Sequence, residues 1–364
     1  MRIFSKGLAN RRAAHNLAPM STPDKSAGVT ISLNNGRLIH APAGRSLFAA
    51  LRSNGILVPT ACGGKGACGL CKVRVRGDSP PLQPAELSSL SGGELADNVR
   101  LSCQVKPVND ICVELSTDVL AAREFKATVE SVLNLTHDIK EVRLALLPPG
   151  AISFRPGQFI VLRIPPYASS RFAAFRPFSL ASSPARPDRL ELQIRRVRGG
   201  IGTTYVFDHL SPGASLSLTG PYGDFWLRKS GRDVIFIAGG SGMAPILSII
   251  EDMADRGISR KAVFFFGARA REDLFHLDRI ASLQKRLPEL RFVPALSAPA
   301  AGDDWDGERG LITEVLERNV RSVADAEAYL CGSPAMINAC VGLLQRKGLC
   351  ESRIFYDKFT SYRL

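Results

Sequence analysis

A chain of 364 residues with 45% hydrophobic content carries enough apolar material for roughly two or three packed domains, which excludes a disordered chain and a small disulfide-stapled module. Its net charge of +13 comes from arginines dispersed along the sequence without any nucleic-acid-binding motif, so no nucleic acid is expected as a partner; the excess suits phosphate-bearing ligands and an acidic protein. No window approaches the roughly 18 consecutive apolar residues of a membrane span, so the expectation is a soluble, cytoplasmic chain with no integral membrane span, peripheral association being left open.

Residues 1–27 carry Arg2, Lys6, Arg11 and Arg12 with no acid before Asp24 and no sustained apolar stretch. They read as a flexible basic tail; an organellar transit peptide, Arg-rich and acid-poor, is the alternative. VTISLNNGRLIH, from Val29, predicts a hairpin around an Asn-Asn-Gly turn, and SLFAALRSNGI a short helix ending at Gly55. KVRVRG, LSCQVKP and DICVEL read as three further strands.

Between the helix and KVRVRG lies ACGGKGACGLC, which holds Cys62, Cys68 and Cys71, and Cys103 follows later. The spacing is C-x5-C-x2-C plus a distant fourth cysteine, one residue longer in the first gap than the plant-type C-x4-C-x2-C pattern. A [2Fe–2S] cluster needs four thiolates and backbone N–H groups turned toward its sulfurs, and Gly63, Gly64, Gly66 and Gly69 free the backbone to supply them. A structural zinc site is the alternative for four thiolates, although zinc modules usually present two short cysteine pairs. Cys112, Cys331, Cys340 and Cys350 read as reduced thiols. Residues 28–118 thus have the pattern of a β-grasp ferredoxin domain.

FKATVESVLNL, VRLALL, FIVLRI and LELQIRRV predict a second, antiparallel β-rich domain over 124–227, a barrel or sandwich whose pattern fades near GPYGDF. After one of these strands comes RPFSLAS, joining a cation, a ring and a hydroxyl in Arg176, Pro177, Phe178 and Ser179. A flavin uses all three: Arg176 for its diphosphate, Phe178 against the ring or ribityl chain, Ser179 at the isoalloxazine edge. RGGIGTTY adds Gly200, Thr203 and Thr204 at a helix start, an anion site for the flavin pyrophosphate. An ordinary strand edge and an N-capped helix are the plainer readings of these two segments.

From Asp233 strands and helices alternate: VIFIAGG, a helix through APILSIIEDMADRG, KAVFFFGAR, SLQKRLPEL, FVPALS, LITEVLERN, AEAYLCGSP and AMINACVGLLQRKG. The pattern predicts a doubly wound parallel α/β domain over 229–364 with its ligand at the strand carboxyl ends. AGGSGMAP there offers Gly239, Gly240, Gly242, Met243, Ala244 and Pro245 to a dinucleotide, though it is not the strict G-x-G-x-x-G fingerprint. CGSPAM repeats the theme with Gly332, Ser333 and Pro334, and sets Cys331 at a strand end where a nicotinamide would lie; a buried structural thiol is the alternative.

On these residues the chain resembles, from about 28 to 359, the NADH-dependent, FAD-containing reductases in which a ferredoxin domain is fused to a ferredoxin–NADP reductase-like module. The cysteine set, RPFSLAS as an R-x-[FY]-S flavin motif, GGSGMAP, the GAR after the second strand of the last domain, ALSAPAAGDDWDGERG and YLCGSP carry the resemblance. The ferredoxin-bearing subunit of the sodium-translocating NADH:quinone reductase matches the cysteine spacing, and reductase components of multicomponent oxygenases share the architecture. The sodium-pump protein has an N-terminal membrane helix that finds no counterpart here, and a longer flavin-domain insertion than PPYASSRFAAF supplies. The resemblance implies hydride transfer from NADH to FAD, then single electrons through the [2Fe–2S] cluster to a protein acceptor such as an oxygenase component, or alternatively to quinone as a peripheral part of a quinone reductase. It assigns Phe359 as the aromatic that covers the flavin, with a core aromatic as the alternative, and places Ser179, Cys331 and Phe359 at the reacting centre.

Overall fold

The computed structural model describes residues 28–359 apart from 78, 169, 301 and 303, so the expected basic tail lies outside the described residues. Three sheets follow one another along the chain.

The first is built from β1 (Gly28–Leu33), β2 (Leu38–Pro42), β3 (Lys72–Arg76), β4 (Val99–Leu101) and β5 (Ile111–Glu114), in the order β2-β1-β5-β3-β4. Alternation in β1 turns Val29, Ile31 and Leu33 to one face, where α1 (Leu47–Ser53) lays Leu47, Phe48, Ala50 and Leu51 across it. Ser46 starts that helix by accepting from Ala49 N, and Gly55 at φ +76° ends it, a conformation that costs glycine nothing. Two short helices, α2 (Pro84–Ser89) and α3 (Gly92–Ala96), follow β3. LSCQVKP is not a strand as expected: β4 stops at Leu101, and the chain turns through Ser102–Gln104, with Ser102 N donating to Cys71 O at 2.8 Å. That turn returns Cys103 to the cysteine loop, which a continuing strand would carry it past.

After α4 (Thr117–Ala121) come β6 (Arg123–Asn134), β7 (Ile139–Leu146), β8 (Phe159–Ile164), β9 (Ala174–Ser179) and β10 (Arg189–Arg195), then α5 (Ile201–Asp208) and β11 (Ser215–Tyr222). The six strands are all antiparallel in the order β10-β7-β6-β11-β8-β9, and a bridge from Leu180 to Leu192 brings the two outer strands together into a barrel. The RPFS of RPFSLAS is thus part of β9 itself, with Leu180–Ser182 just beyond its end. The last barrel strand ends at Tyr222, within the GPYGDF segment where the pattern was expected to fade, after running through Gly220 and Pro221.

The third sheet is parallel throughout, in the order β15-β14-β13-β12-β16-β17. Its elements are β12 (Asp233–Gly239), α6 (Met243–Asp255), β13 (Ala262–Ala268), α7 (Leu277–Arg286), β14 (Leu290–Leu296), β15 (Glu308–Arg309), α8 (Ile312–Asn319), β16 (Ala326–Gly332), α9 (Pro334–Arg346) and β17 (Ile354–Lys358). Helices α6 and α7 cover one face and α8 and α9 the other, each over its own core, so β12 and β16 are apolar on both sides. Strand order reverses between β12 and β16, which makes their carboxyl ends the ligand crevice of such a sheet.

Candidate functional site

Cys62, Cys68, Cys71 and Cys103 are all buried and unbridged. Their sulfurs fall into two pairs, Cys62 with Cys68 and Cys71 with Cys103. Interaction with Cys68 holds the Cys62 thiol down at about 4, against burial and with the N–H groups of Ala67, Lys65 and Gly64 helping; Cys71 lowers Cys103 to about 7 in the same way. Ala61 N donates to Cys68 Sγ at 3.4 Å, and Gln104 Nε2 to Cys103 Sγ at 3.4 Å. Thr60 Oγ1 accepts from Gly63 N at 3.0 Å and Gly64 N at 3.3 Å, which pins the loop open around the sulfurs. Gly66, at φ +82°, is needed there: a Cβ would stand 2.7 Å from Gln104 Nε2.

A single tetrahedral zinc, with Zn–S near 2.3 Å, would draw four sulfurs to within about 4 Å of one another. Among the described residues no three cysteine sulfurs lie within 4.8 Å of one another. Two sulfur pairs in a ring of inward N–H groups fit two irons bridged by sulfide, not one zinc.

Arg176 Nη1 donates to Ala61 O at 3.0 Å and to Phe175 O at 2.8 Å, so this β9 guanidinium reaches the cysteine loop. Burial lowers its pKa, while Tyr167, Cys62 and Cys68 act to raise it. Tyr222 Oη donates to Leu57 O at 2.9 Å, and Arg52 lies over the Phe175 ring at 5.1 Å. Helix α5 begins against Arg176, and only glycine fits at position 202, where a Cβ would meet Arg176 Cγ at 2.6 Å. The predicted anion site is thus next to the predicted cation, with Gly200 as N-cap and no side chain capping it. Thr203 Oγ1 is engaged within that turn, donating to Val197 O at 3.1 Å and accepting from Val197 N, whereas Thr204 adjoins Tyr167. Pro177 and Phe178 continue β9, and Phe178 packs on the barrel core.

Strand β9 ends at Ser179, whose Oγ donates to Asp357 Oδ2 at 3.4 Å across to β17. Asp357 is not among the predicted site residues. Burial pushes its carboxyl up to about 6, with the Ser179 hydrogen bond opposing and Asp224 adding. The β16–β17 register pairs Cys331 with Asp357 and Gly332 with Lys358, and Phe359 N donates to Gly332 O at 2.8 Å. Cys331 is fully buried, and burial, then Asp357, raises its thiol far above the usual range, so it is a neutral apolar wall. Gly242 presses on the same point: a Cβ there would lie 2.3 Å from Cys331 O. Met243, Ala244 and Pro245 are buried in the first turn of α6, while Ser333 caps α9 by accepting from Met336 N, with Pro334 next. Ser179, Asp357, Cys331 and Phe359 therefore converge where the barrel meets the crevice of the parallel sheet.

Family models match all three parts of the chain: a 2Fe-2S iron-sulfur cluster binding domain over 31–108, an oxidoreductase FAD-binding domain over 126–226 and an oxidoreductase NAD-binding domain over 236–342. The phenol hydroxylase P5 protein of Acinetobacter pittii is 36% identical over 342 residues, covering 92% of each chain. The chain belongs to the FAD- and [2Fe–2S]-containing NADH-dependent reductases. A component of the Na(+)-translocating NADH-quinone reductase of Neisseria gonorrhoeae is 32% identical over 371 residues, covering 91% of each chain. Among solved structures, the Amycolatopsis cytochrome P450 reductase GcoB superimposes with a TM-score of 0.75 at 32% identity, over 92% of this chain and 99% of that one. The reductase thus uses FAD, a [2Fe–2S] cluster and NADH, and no described helix is long and apolar enough to cross a membrane.

Proposed function

We propose that this reductase delivers electrons from NADH to a redox protein of the oxygenase type. In this reading Arg176–Ser179 with Gly200, Thr203 and Thr204 hold FAD, Gly239–Pro245 and Gly332–Pro334 hold NADH, and Cys62, Cys68, Cys71 and Cys103 hold the cluster. One contact carries it: the 3.0 Å hydrogen bond from Arg176 to Ala61 O, which ties the flavin strand to the cysteine loop within one chain. The domain division 28–118, 124–227 and 229–364 and a cytoplasmic location belong to the same proposal.

When bound, FAD accepts an electron pair and releases it singly, and the cluster carries one electron at a time. The protein's share is positioning. Gly242 lets the nucleotide turn close on β16, Ser179 presents a hydroxyl at the end of β9, and Asp357, ionised above about pH 6, accepts from it. Phe359 and Cys331 supply apolar walls that exclude water. Arg176 keeps a positive charge between flavin and cluster.

The alignment favours an oxygenase-type acceptor. The phenol hydroxylase P5 protein of Acinetobacter pittii is 36% identical against 32% for the Neisseria gonorrhoeae protein, and a cytochrome P450 reductase and the ferredoxin reductase of carbazole 1,9a-dioxygenase share the fold. A quinone-linked role remains the second reading, on the strength of that 32% identity. Anaerobic stopped-flow reoxidation of the NADH-reduced protein tests the choice, with soluble and membrane fractions of the source cell as acceptors. Faster reoxidation by the soluble fraction is expected; quinone-dependent preference for membranes would favour the second reading, and no bleaching by NADH would overturn electron transfer altogether.

A further inference from the structure

We infer that the seam between the barrel and the nucleotide domain holds a site for a divalent transition-metal ion, built from Glu141, Glu191 and His276. Glu141 on β7 and Glu191 on β10 project from the same barrel face, since the antiparallel register pairs Gln193 with Glu141 and Glu191 with Arg143. His276 enters from the other side as the residue before α7, its backbone left-handed at φ 57°. One carboxylate oxygen from each glutamate and an imidazole nitrogen lie within 4.8 Å of one another, and no other such group occurs among the described residues.

The polar atoms here are short of partners. Glu141 is 1% exposed, and its Oε2 and His276 Nε2 face each other at 3.2 Å, an ion pair when the imidazole is protonated, but without the geometry of a hydrogen bond. Gln193, buried opposite Glu141, has neither amide atom satisfied. Buried polar atoms are rarely left so, and each asks for an explanation such as a bound ion.

The arginines nearby shape the ligand set without filling it. Arg143 Nη2 binds Glu141 Oε1 at 2.7 Å, and Arg279 Nη1 binds Glu191 Oε1 at 2.5 Å while its Nη2 binds Glu251 at 2.6 Å. Arg279 Nη1 stands 4.0 Å from Glu141 Oε2, and Arg143 Nε 3.9 Å from Glu191 Oε2. Both guanidiniums thus grip the Oε1 atoms and orient the Oε2 atoms, the usual office of groups behind a metal ligand. Around the cavity Glu130, Glu141, Glu191, Glu251 and Asp278 set five carboxylates against the guanidiniums of Arg143, Arg186, Arg189 and Arg279, which leaves one negative charge for a cation while His276 is neutral. Two carboxylate oxygens and one imidazole suit zinc or manganese, and a cavity of about 740 Å³, lined by Glu191, Glu251 and His276 with Arg143, Arg186, Arg189 and Arg279 around them, gives an entry and room for water ligands.

Manganese is the probe, because a hard ion leaves the cluster thiolates alone. The reductase, loaded with FAD and cluster, is titrated with Mn(II) while the free-ion EPR signal is followed, and the bound ion is examined for coupling to a nitrogen nucleus. One ion per chain and a nitrogen coupling are expected. His276→Ala should remove the coupling and weaken binding at least tenfold, and Glu191→Gln, tested in parallel should the histidine variant not fold, should weaken it by a similar factor. No uptake by the wild-type protein, binding without nitrogen coupling, or binding that a folded variant leaves unchanged would each overturn the proposal.

Discussion

Asp357 shows how one side chain acquires a property that only the fold creates. Desolvation of this half-buried carboxyl, with Asp224 adding, pushes it up to about 6, so between its unfolded value near 4 and about 6 the folded chain holds a proton that the unfolded chain has released. The favourable contribution is complete below about pH 4 and is lost as pH rises through about 6, a change of up to roughly 3 kcal/mol. Asp357→Asn should remove this slope: the melting temperature of the variant relative to wild type should rise between pH 4.5 and pH 7.5, and an unchanged difference would mean that the carboxyl is not proton-linked. Sequence reasoning reached Ser179, Cys331 and Phe359 around this point but missed Asp357. The four cysteines proposed for the cluster were legible as a set because their spacing brings three into one loop, which the structure joins to Cys103 by a turn. Asp357 meets Ser179 across 178 positions, through the parallel register of β16 and β17, and no local pattern encodes such a meeting.

Among the elements, the long apolar strands and amphipathic helices of the parallel sheet were readable because period and flanking glycines agree. The short pieces around the cysteines were not: α2 and α3 are about one turn each, closed by local contacts of Gln83 with Glu86 and Ser91 with Glu94 and too short to show a period, and the Cys103 turn is held by Ser102 N donating to Cys71 O. Glu86 on α2 is the main clasp. Its Oε1 accepts from Arg100 Nε and from Leu101 N, its Oε2 from Arg100 Nη2, and Gln83 N also donates to it. Burial would push this carboxyl up, but Arg100 and the two backbone donors more than offset that and keep it below the usual range. Glu86→Gln leaves Arg100 buried beside a neutral group, which should cost about 3–5 kcal/mol and lower the temperature at which cluster absorbance is lost. Arg100→Met with Glu86→Leu should recover much of the loss. Cys68→Ser removes one cluster thiolate: electron delivery to an external acceptor should disappear while NADH still bleaches the flavin that the protein retains at near wild-type rate. Simultaneous loss of both would mean the ferredoxin part is required for the barrel to fold.

For the molecule as a whole, the net charge of +13 predicts that association with an acidic acceptor is steered electrostatically. Raising salt from about 50 to 300 mM should slow second-order reoxidation by the acceptor several-fold and leave the NADH-dependent flavin step little changed. A reoxidation rate independent of salt would remove charge from the account of docking.

Arg176 carries a last consequence, which concerns assembly. The guanidinium that reaches Ala61 O also borders the start of α5, so in the proposed assignment the flavin site on β9 and the cysteine loop share one ordered side chain. Binding free energies that share an ordering cost are reciprocal. Maturation then becomes a two-ligand cooperative process in which each prosthetic group raises the retention of the other. Flavin-depleted protein should surrender its iron to a chelator faster than the replete form, and Arg176→Ala should make the two rates equal.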